Sequence, residues 1–97
     1  MFNTSLNNPT KGRLIESYKN GANWYRIYSD GWCEQGGRAT DGIINFLKPF
    51  SDTNYTICGA NTNASSSAAF RFYNLANDYV YLACSQPCSW QACGYIS

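Results

Sequence analysis

Histidine is absent from the 97-residue chain, and this removes the commonest general base and the commonest metal ligand. No Ser-His or Cys-His nucleophile pair can form within the chain, and no GK[ST] or GxGxxG phosphate loop occurs. Of the six carboxylates, four lie in predicted turns, where aspartate usually accepts hydrogen bonds from nearby backbone: Asp30, Asp41, Asp52 and Asp78. The sequence therefore predicts a protein that is not an enzyme and that uses no cofactor.

Charge of either sign is scarce as well. Seven basic and six acidic residues give a formal net charge of +1, and the basic residues are scattered, whereas a nucleic-acid footprint needs them clustered. No apolar run approaches the roughly 18–20 residues of a membrane-spanning helix, and no charged-then-apolar signal segment follows Met1. We expect neither a nucleic-acid partner nor insertion into a membrane.

Five cysteines are present, an odd number: Cys33, Cys58, Cys84, Cys88 and Cys93. Without a signal segment, the pattern favours free thiols that act as small buried apolar side chains. The spacing Cys84-x3-Cys88-x4-Cys93 leaves a zinc site as an alternative, but a fourth ligand would have to be Cys33 or Cys58, and we predict no metal. A Cys84–Cys88 disulfide is a second alternative that the sequence leaves open.

Aromatic residues are plentiful, at 16% of the chain, and they are densest in residues 24–37, WYRIYSDGWCEQGG. Asp30-Gly31 near the middle predicts a β-hairpin with a two-residue type I′ turn, because both central residues of that turn need positive φ. Such a turn pairs Tyr28 with Cys33, Ile27 with Glu34 and Arg26 with Gln35. Rings and polar groups then occur on both faces, so we expect one face to pack on the core and the other to be covered by another chain.

The rest of the chain also divides into short strand-like segments, separated by turn residues at intervals of about ten residues. In residues 79–84, for example, tyrosines alternate with Val80 and Leu82. No helical period of 3.6 residues persists. We predict an all-β fold, a small antiparallel β-sandwich of about eight short strands, built from residues 12–97 as a single domain. The polar residues 1–11 are predicted to be a linker or the cut end of a longer chain.

The remaining candidates for function are groups that recognise sugars, because aromatic faces stack on sugar rings and amide or carboxylate groups bond the hydroxyls. Such residues lie in a polar loop and around one later turn: Asn61 and Asn63, then Tyr73, Asn74, Asn77, Asp78 and Tyr79. The two groups lie at opposite ends of the strand that contains Phe70, so we do not expect them to form one site within a subunit.

A second set of residues is predicted to lie in the core or in a subunit interface: Trp24, Tyr28, Trp32, Glu34 and Trp90. Large rings in strands usually pack against other parts of the same protein or against a partner. For Glu34 we expect a buried hydrogen bond, or an ion pair with Arg26 or Arg71.

Three segments resemble, in this order, the C-terminal domain of tail-fibre proteins of tailed bacteriophages and prophages: WYRIYSDGWCEQGG (24–37), FLKPFSDTNYT (46–56) and WQACGYIS (90–97). Together they cover about a third of the chain. The resemblance implies a receptor-binding tip domain of the virion's tail fibre, synthesised in the cytoplasm of the bacterial host. It also implies a homotrimer, since fibres are usually threefold, and a receptor on the bacterial surface, which we expect to be a polysaccharide.

Two alternatives remain at the level of the sequence. The domain could be a structural trimerisation knob of the fibre that carries no receptor site. It could also be a free-standing, lectin-like carbohydrate-binding module. A binding domain needs exposed rings near its loops, whereas a knob does not.

Overall fold

The computed structural model describes residues 12–61, 70–84 and 86–97, and this part of the chain contains eight β-strands and no helix. The strands are β1 (Leu14–Asn20), β2 (Asn23–Tyr28), β3 (Trp32–Ala39), β4 (Gly42–Asn45), β5 (Thr56–Asn61), β6 (Phe70–Tyr73), β7 (Tyr79–Cys84) and β8 (Cys88–Tyr95). They form a five-stranded antiparallel sheet of order β1-β2-β3-β8-β5 and a three-stranded antiparallel sheet of order β4-β7-β6. The predicted small antiparallel β-sandwich is confirmed.

Alternation along the strands builds the core between the two sheets. Val80 and Leu82 of β7 are 0% and 1% exposed, and they belong to one buried cluster with Ile44 of β4 and with Trp90 and Ala92 of β8. Burying a large apolar side chain contributes about 1.5–3 kcal/mol. The inward residues of each strand therefore hold the sheets together and leave the alternate residues facing outward.

The connection between β4 and β5 also contributes to the core, through three aromatic rings. The ring centroid of Phe46 lies 5.1 Å from that of Phe50 and 5.1 Å from that of Tyr55, and Phe50 and Tyr55 stack at 4.7 Å. These edge-on and stacked arrangements are the ones that aromatic pairs prefer. Residues 46–55 are consequently fixed to the sandwich although they form no strand.

One polar side chain, Gln35 of β3, is completely buried. Its amide nitrogen donates a hydrogen bond to the Lys48 carbonyl at 2.7 Å, and its amide oxygen accepts one from the Lys48 N–H at 3.2 Å. A buried amide is tolerated when its donors and acceptors are satisfied in this way. Gln35 therefore joins the five-stranded sheet to the connection between β4 and β5.

The hairpin predicted at Asp30-Gly31 forms, but its register differs from the prediction by one residue. β2 and β3 pair Ile27 with Cys33 and Arg26 with Glu34. Gly31 has a positive φ of 92°, Asp30 does not, and the Gly31 N–H donates to the Tyr28 carbonyl at 2.9 Å. This is the pattern of a three-residue loop, a type I turn followed by a left-handed glycine, instead of the two-residue type I′ loop that we predicted.

The register shift moves each β3 side chain to the face opposite the predicted one, because side chains alternate along a strand. Cys33 and Gln35 therefore enter the core together with Ile27. Trp32 and Glu34 instead lie on the outer face of the sheet.

β1 is the outer edge of the five-stranded sheet, and all seven of its residues are exposed. Leu14 and Ile15 are 50% and 58% exposed despite being apolar. The three-stranded sheet thus covers the inner face of the larger sheet only as far as β2.

All five cysteines are free thiols. Cys33 and Cys88 are buried, as predicted for small apolar side chains, whereas Cys58 is exposed. Within residues 12–61, 70–84 and 86–97, no three Cys, Asp or Glu side chains gather as they would around a metal ion. The same ranges contain no helix that could span a bilayer.

Candidate functional site

The outer face of the three-stranded sheet carries a row of half-buried tyrosines, and the described part of the chain places no third sheet over them. Tyr79 and Tyr81 alternate with the buried Val80 and Leu82 along β7, and Tyr73 of β6 pairs with Tyr81 in register. The ring centroid of Tyr81 lies 5.4 Å from that of Tyr73 and 5.8 Å from that of Tyr79. We call Tyr73, Tyr79 and Tyr81 the tyrosine row.

Two other side chains extend the tyrosine row at its margins. The guanidinium carbon of Arg71 lies over the Tyr73 ring, 5.1 Å from its centroid. Ile43 of β4 pairs with Tyr81 and is 52% exposed. The face therefore offers apolar ring surface, phenol hydroxyls and one cation, which are the groups that bind sugars.

The turn between β6 and β7 lies at one end of the tyrosine row and presents polar side chains. Asn74, Asn77 and Asp78 are exposed, and Asn74 adopts a left-handed φ of 51°, a conformation that asparagine tolerates better than most residues. These are three of the predicted glycan-binding residues. The structure brings them to the same end of the domain as Tyr73 and Tyr79.

This turn is tied to the core by its backbone. The N–H groups of Phe50 and Phe46 donate to the carbonyls of Asn77 and Asp78 at 2.7 and 3.0 Å. The Tyr55 hydroxyl donates to the carbonyl of Ala76 at 2.8 Å. Burial, and to a lesser extent the charge of Asp78, raises the pKa of Tyr55, so this hydroxyl stays protonated as a donor. Loops held on a rigid scaffold in this way commonly carry binding residues.

One predicted glycan-binding residue, Asn61, lies elsewhere. Asn61 ends β5, where it pairs with Cys88 of β8, and the register of the sheets puts it at the end of the domain away from the turn between β6 and β7. Asn63 lies outside the described residues. The prediction that the two groups are separated therefore holds for Asn61.

Sequence analysis missed Tyr81, Arg71 and Ile43 as members of this face. The alternation in β7 already placed Tyr81 beside Tyr79, and the same rule put Arg71 beside Tyr73. Ile43 could not be found in this way, because its neighbour in space depends on the pairing of β4 with β7.

The second predicted set divides between the core and the outer face of the five-stranded sheet. Trp90 is buried in the core, while Trp24, Tyr28, Trp32 and Glu34 face outward. The Glu34 carboxylate accepts hydrogen bonds from the Trp32 indole N–H at 3.2 Å and from the Tyr28 hydroxyl at 3.5 Å. Tyr95 of β8, which is 50% exposed, contacts Trp32 edge-on at 5.1 Å.

The expected hydrogen bonding of Glu34 is confirmed, but its partners are rings and not the arginines that we named. Arg26 lies over the Trp24 ring, at 5.0 Å from its centroid, and Arg71 lies over Tyr73. Among the turn aspartates, Asp30 and Asp52 accept hydrogen bonds from the nearby backbone as predicted, from the N–H groups of Trp32 and Asn54 at 3.0 and 2.8 Å. Asp41 instead accepts one from the distant Cys84 N–H, at 3.0 Å.

Comparisons with known proteins identify the fold. No family model matches the sequence, and no curated protein matches it either. The structure is similar to an N-truncated R2-type pyocin tail fibre, with a TM-score of 0.67 and 21% sequence identity over 82% of this chain. It is similar to a C-terminal fragment of the R2 pyocin fibre of P. aeruginosa, with a TM-score of 0.66 and 20% identity over 82% of this chain.

This chain matches only a part of each of those structures, 38% of the first and 26% of the second. The likeness concerns the fold, because the sequences differ at about four positions in five. The chain thus shares the fold of one part of these pyocin tail fibres.

Proposed function

We propose that this chain is a tail-fibre domain of a bacteriophage or a phage-like particle and that it binds a polysaccharide on the bacterial surface without acting on it chemically. Two lines support the tail-fibre assignment. The fold is that of a part of R2-type pyocin fibres. The segments at residues 24–37, 46–56 and 90–97 resemble the C-terminal domain of phage tail fibres. In this proposal residues 12–97 form the distal, receptor-binding tip in the virion, after synthesis in the host cytoplasm.

The observation that carries the binding function is the tyrosine row beside an anchored polar turn. Sugars present apolar ring faces that stack on aromatic rings and hydroxyls that bond to Asn, Asp and Arg. The tyrosine row supplies the rings, and Asn74, Asn77 and Asp78 supply the polar groups at its end. Since the core fixes the turn, little conformational entropy is lost when a sugar binds there.

We also infer a homotrimer, with Tyr28, Trp32 and Tyr95 in the contact between copies. These rings lie on the outer face of the five-stranded sheet, and the polar group among them, Glu34, already has its hydrogen bonds within the chain. Covering a polar group that is already paired costs little. Three copies in one fibre tip increase the avidity of weak sugar sites without any new contact.

The experiment that tests the binding function uses a panel of purified bacterial surface polysaccharides immobilised on an array. We expect the protein to bind at least one of them, and the double variant Tyr79→Ala/Tyr81→Ala to lose about tenfold or more in affinity, since stacked rings contribute about 1–3 kcal/mol each. The matched control is Ile15→Ala, which removes an exposed apolar side chain from β1.

Binding that survives the double variant, or falls equally in the control, would exclude the tyrosine row as the site. A trimer that binds no polysaccharide and no intact bacteria would favour the structural trimerisation knob. A monomer that binds sugar through the tyrosine row would favour the lectin-like module.

A further inference from the structure

Two opposite charges on the outer face of the five-stranded sheet face each other in register but do not pair. Arg26 of β2 lies directly opposite Glu34 of β3, a position at which opposite charges usually attract. The Glu34 carboxylate is instead held by Trp32 and Tyr28, towards the turn between β2 and β3. The Arg26 guanidinium lies over the Trp24 ring, towards the other end of β2.

The Trp24 ring that supports Arg26 is itself fixed from behind. Trp24 pairs with Gly36, and a Cβ atom at Gly36 would lie 2.9 Å from the indole nitrogen of Trp24. The indole therefore packs on the backbone of β3 at Gly36, because only glycine leaves room for it there. A guanidinium that lies over a ring uses its flat face, and the N–H donors at its rim remain directed sideways.

A second cation lies beside this pair. Lys19 of β1 is directly opposite Trp24, and Ser17 is directly opposite Arg26, so all four side chains are on one face. Within the described residues neither Lys19 nor Arg26 forms an ion pair. They line an open cleft of about 580 Å³ at the turn between β1 and β2, and no carboxylate lines it.

The nearest carboxylate on β1, that of Glu16, is used elsewhere. It accepts a hydrogen bond from the Tyr25 hydroxyl at 2.5 Å and lies 3.7 Å from the Lys48 ammonium. Glu16 is paired with Ile27, whose side chain is in the core, so its carboxylate is on the inner face of the sheet. The cleft thus combines two cations and a hydroxyl, and the carboxylate on the same face, that of Glu34, is held by Trp32 and Tyr28 instead of by these cations.

We propose that this cleft is a second binding site, which recognises the carboxylate or phosphate group of an acidic surface saccharide. Arginine can bind a planar carboxylate or a tetrahedral phosphate through two parallel N–H donors, and Lys19 adds a point charge. The volume falls within the range of about 300–1,000 Å³ that is usual for small-ligand sites. The cleft lies at the turn between β1 and β2, at the end of β2 away from Tyr28 and Trp32.

The test measures affinity for three soluble polymers at low salt: polygalacturonate, which carries carboxylates, a phosphomannan, which carries phosphates, and dextran, which carries neither. We expect binding to one or both acidic polymers and an affinity at least about tenfold weaker in Arg26→Gln/Lys19→Gln, because charge-assisted hydrogen bonds are lost. Arg13→Gln is the matched control, since it removes one exposed cation outside the cleft. The urea midpoint of each variant shows whether it is folded, and Lys19→Gln alone serves if the double variant is not.

Which acidic polymer binds distinguishes the carboxylate from the phosphate. Failure of both acidic polymers to bind, an equal loss in Arg13→Gln, or equally tight binding of duplex DNA would overturn the proposal. Dextran shows whether binding requires an acidic group, and the Tyr79→Ala/Tyr81→Ala variant, which keeps both cations of the cleft, reports on the tyrosine row alone. The two sites therefore fail or succeed independently.

Discussion

The two sheets both present rings to the outside, but they surround those rings with different polar groups. On the five-stranded sheet, Trp32 donates to Glu34 and contacts Tyr95, so ring and carboxylate are already partners. On the three-stranded sheet, Tyr73 and Tyr79 contact Tyr81, and the polar groups stand apart from them in the turn between β6 and β7.

The difference shows how the same residue types serve two purposes. A surface whose polar groups are paired internally loses little when another protein surface covers it. A surface whose rings and polar groups are adjacent but not paired with each other offers both to a hydrated ligand. The first arrangement suits a contact between copies, and the second suits a sugar.

The largest expected effect is on the assembly of the copies, when the hydrogen bond between Trp32 and Glu34 on the five-stranded sheet is broken. Trp32→Glu removes the indole donor and places a second carboxylate beside Glu34, where like charges repel. We expect the wild type to have about three times the chain mass of 10.8 kDa, and the variant to have the mass of one chain. Light scattering after size exclusion, with and without reductant, measures this.

Ile15→Glu is the control for that comparison, because it adds the same charge at an exposed position on β1. A wild type of single-chain mass would contradict the inferred trimer. A trimer lost on reduction would mean that a cysteine, and not this face, joins the copies.

A smaller effect, on stability and on affinity for the polysaccharide, is expected when the turn between β6 and β7 loses a hydrogen bond to the core. Tyr55→Phe removes the hydroxyl that donates to Ala76 at 2.8 Å and approaches the Tyr79 carbonyl at 3.3 Å. Because this hydrogen bond is only partly buried, its loss should cost about 1 kcal/mol, and urea denaturation should show a drop of that size. We also expect weaker binding to the polysaccharide found on the array.

For the stability measurement Tyr18→Phe is the matched control, since Tyr18 is exposed and stacks on Tyr25 at 5.3 Å through its ring. If Tyr55→Phe loses stability but keeps its full affinity, the rigidity of the turn does not contribute to binding.

The smallest expected effect is on the pH dependence of stability, through Cys33 in the core between the two sheets. Burial raises the pKa of the Cys33 thiol from 9.0 to about 11, so this thiol stays protonated in the folded state after it would ionise in the unfolded chain. Its contribution to stability is fully present below about pH 9 and is lost as the pH rises through about 11. Burial raises the pKa of Tyr55 as well, which acts in the same direction.

We expect the free energy of unfolding to fall between about pH 9 and pH 11 and to fall less steeply in Cys33→Ala. That variant should be less stable at pH 8 because it leaves a cavity. Cys58→Ala, which removes an exposed thiol, should keep the wild-type slope. If the free energy of unfolding of Cys33→Ala falls with pH as steeply as that of the wild type, this thiol does not cause the loss of stability at high pH.

Much of the fold could be predicted because alternation is a local property. The separation of Val80 and Leu82 from the tyrosines of β7 needed only the sequence, and the structure confirms it. Trp90 was predicted to lie in the core or in a subunit interface because of its large ring, and it lies in the core.

The register of the hairpin formed by β2 and β3 could not be predicted from the residues of its turn. Asp30-Gly31 suits a two-residue loop in which both residues have positive φ, and it equally suits a three-residue loop in which only glycine does. The Asp30 side chain accepts a hydrogen bond from the Trp32 N–H at 3.0 Å, and this contact accompanies the longer loop. A difference of one residue then decides whether Glu34 or Gln35 enters the core.

Non-local contacts account for the rest of what sequence analysis missed. Gln35 is buried because the Lys48 backbone lies across it, and nothing in the neighbouring residues indicates that contact. The same holds for Arg26 and Lys19, because the pairing of β1 with β2 brings them to one face.

The alternation in the three-stranded sheet has a consequence for how this molecule can change over generations. The side chains of the tyrosine row and its margins are separate from those that fill the interior, since each outward residue is followed by an inward one. Under the proposed function, substitutions at Ile43, Arg71, Tyr73, Tyr79 and Tyr81 alter which sugar is bound while the inward residues keep the chain folded. A population of such proteins would then adapt to a changed surface polysaccharide one substitution at a time, and a laboratory library restricted to these positions would do the same.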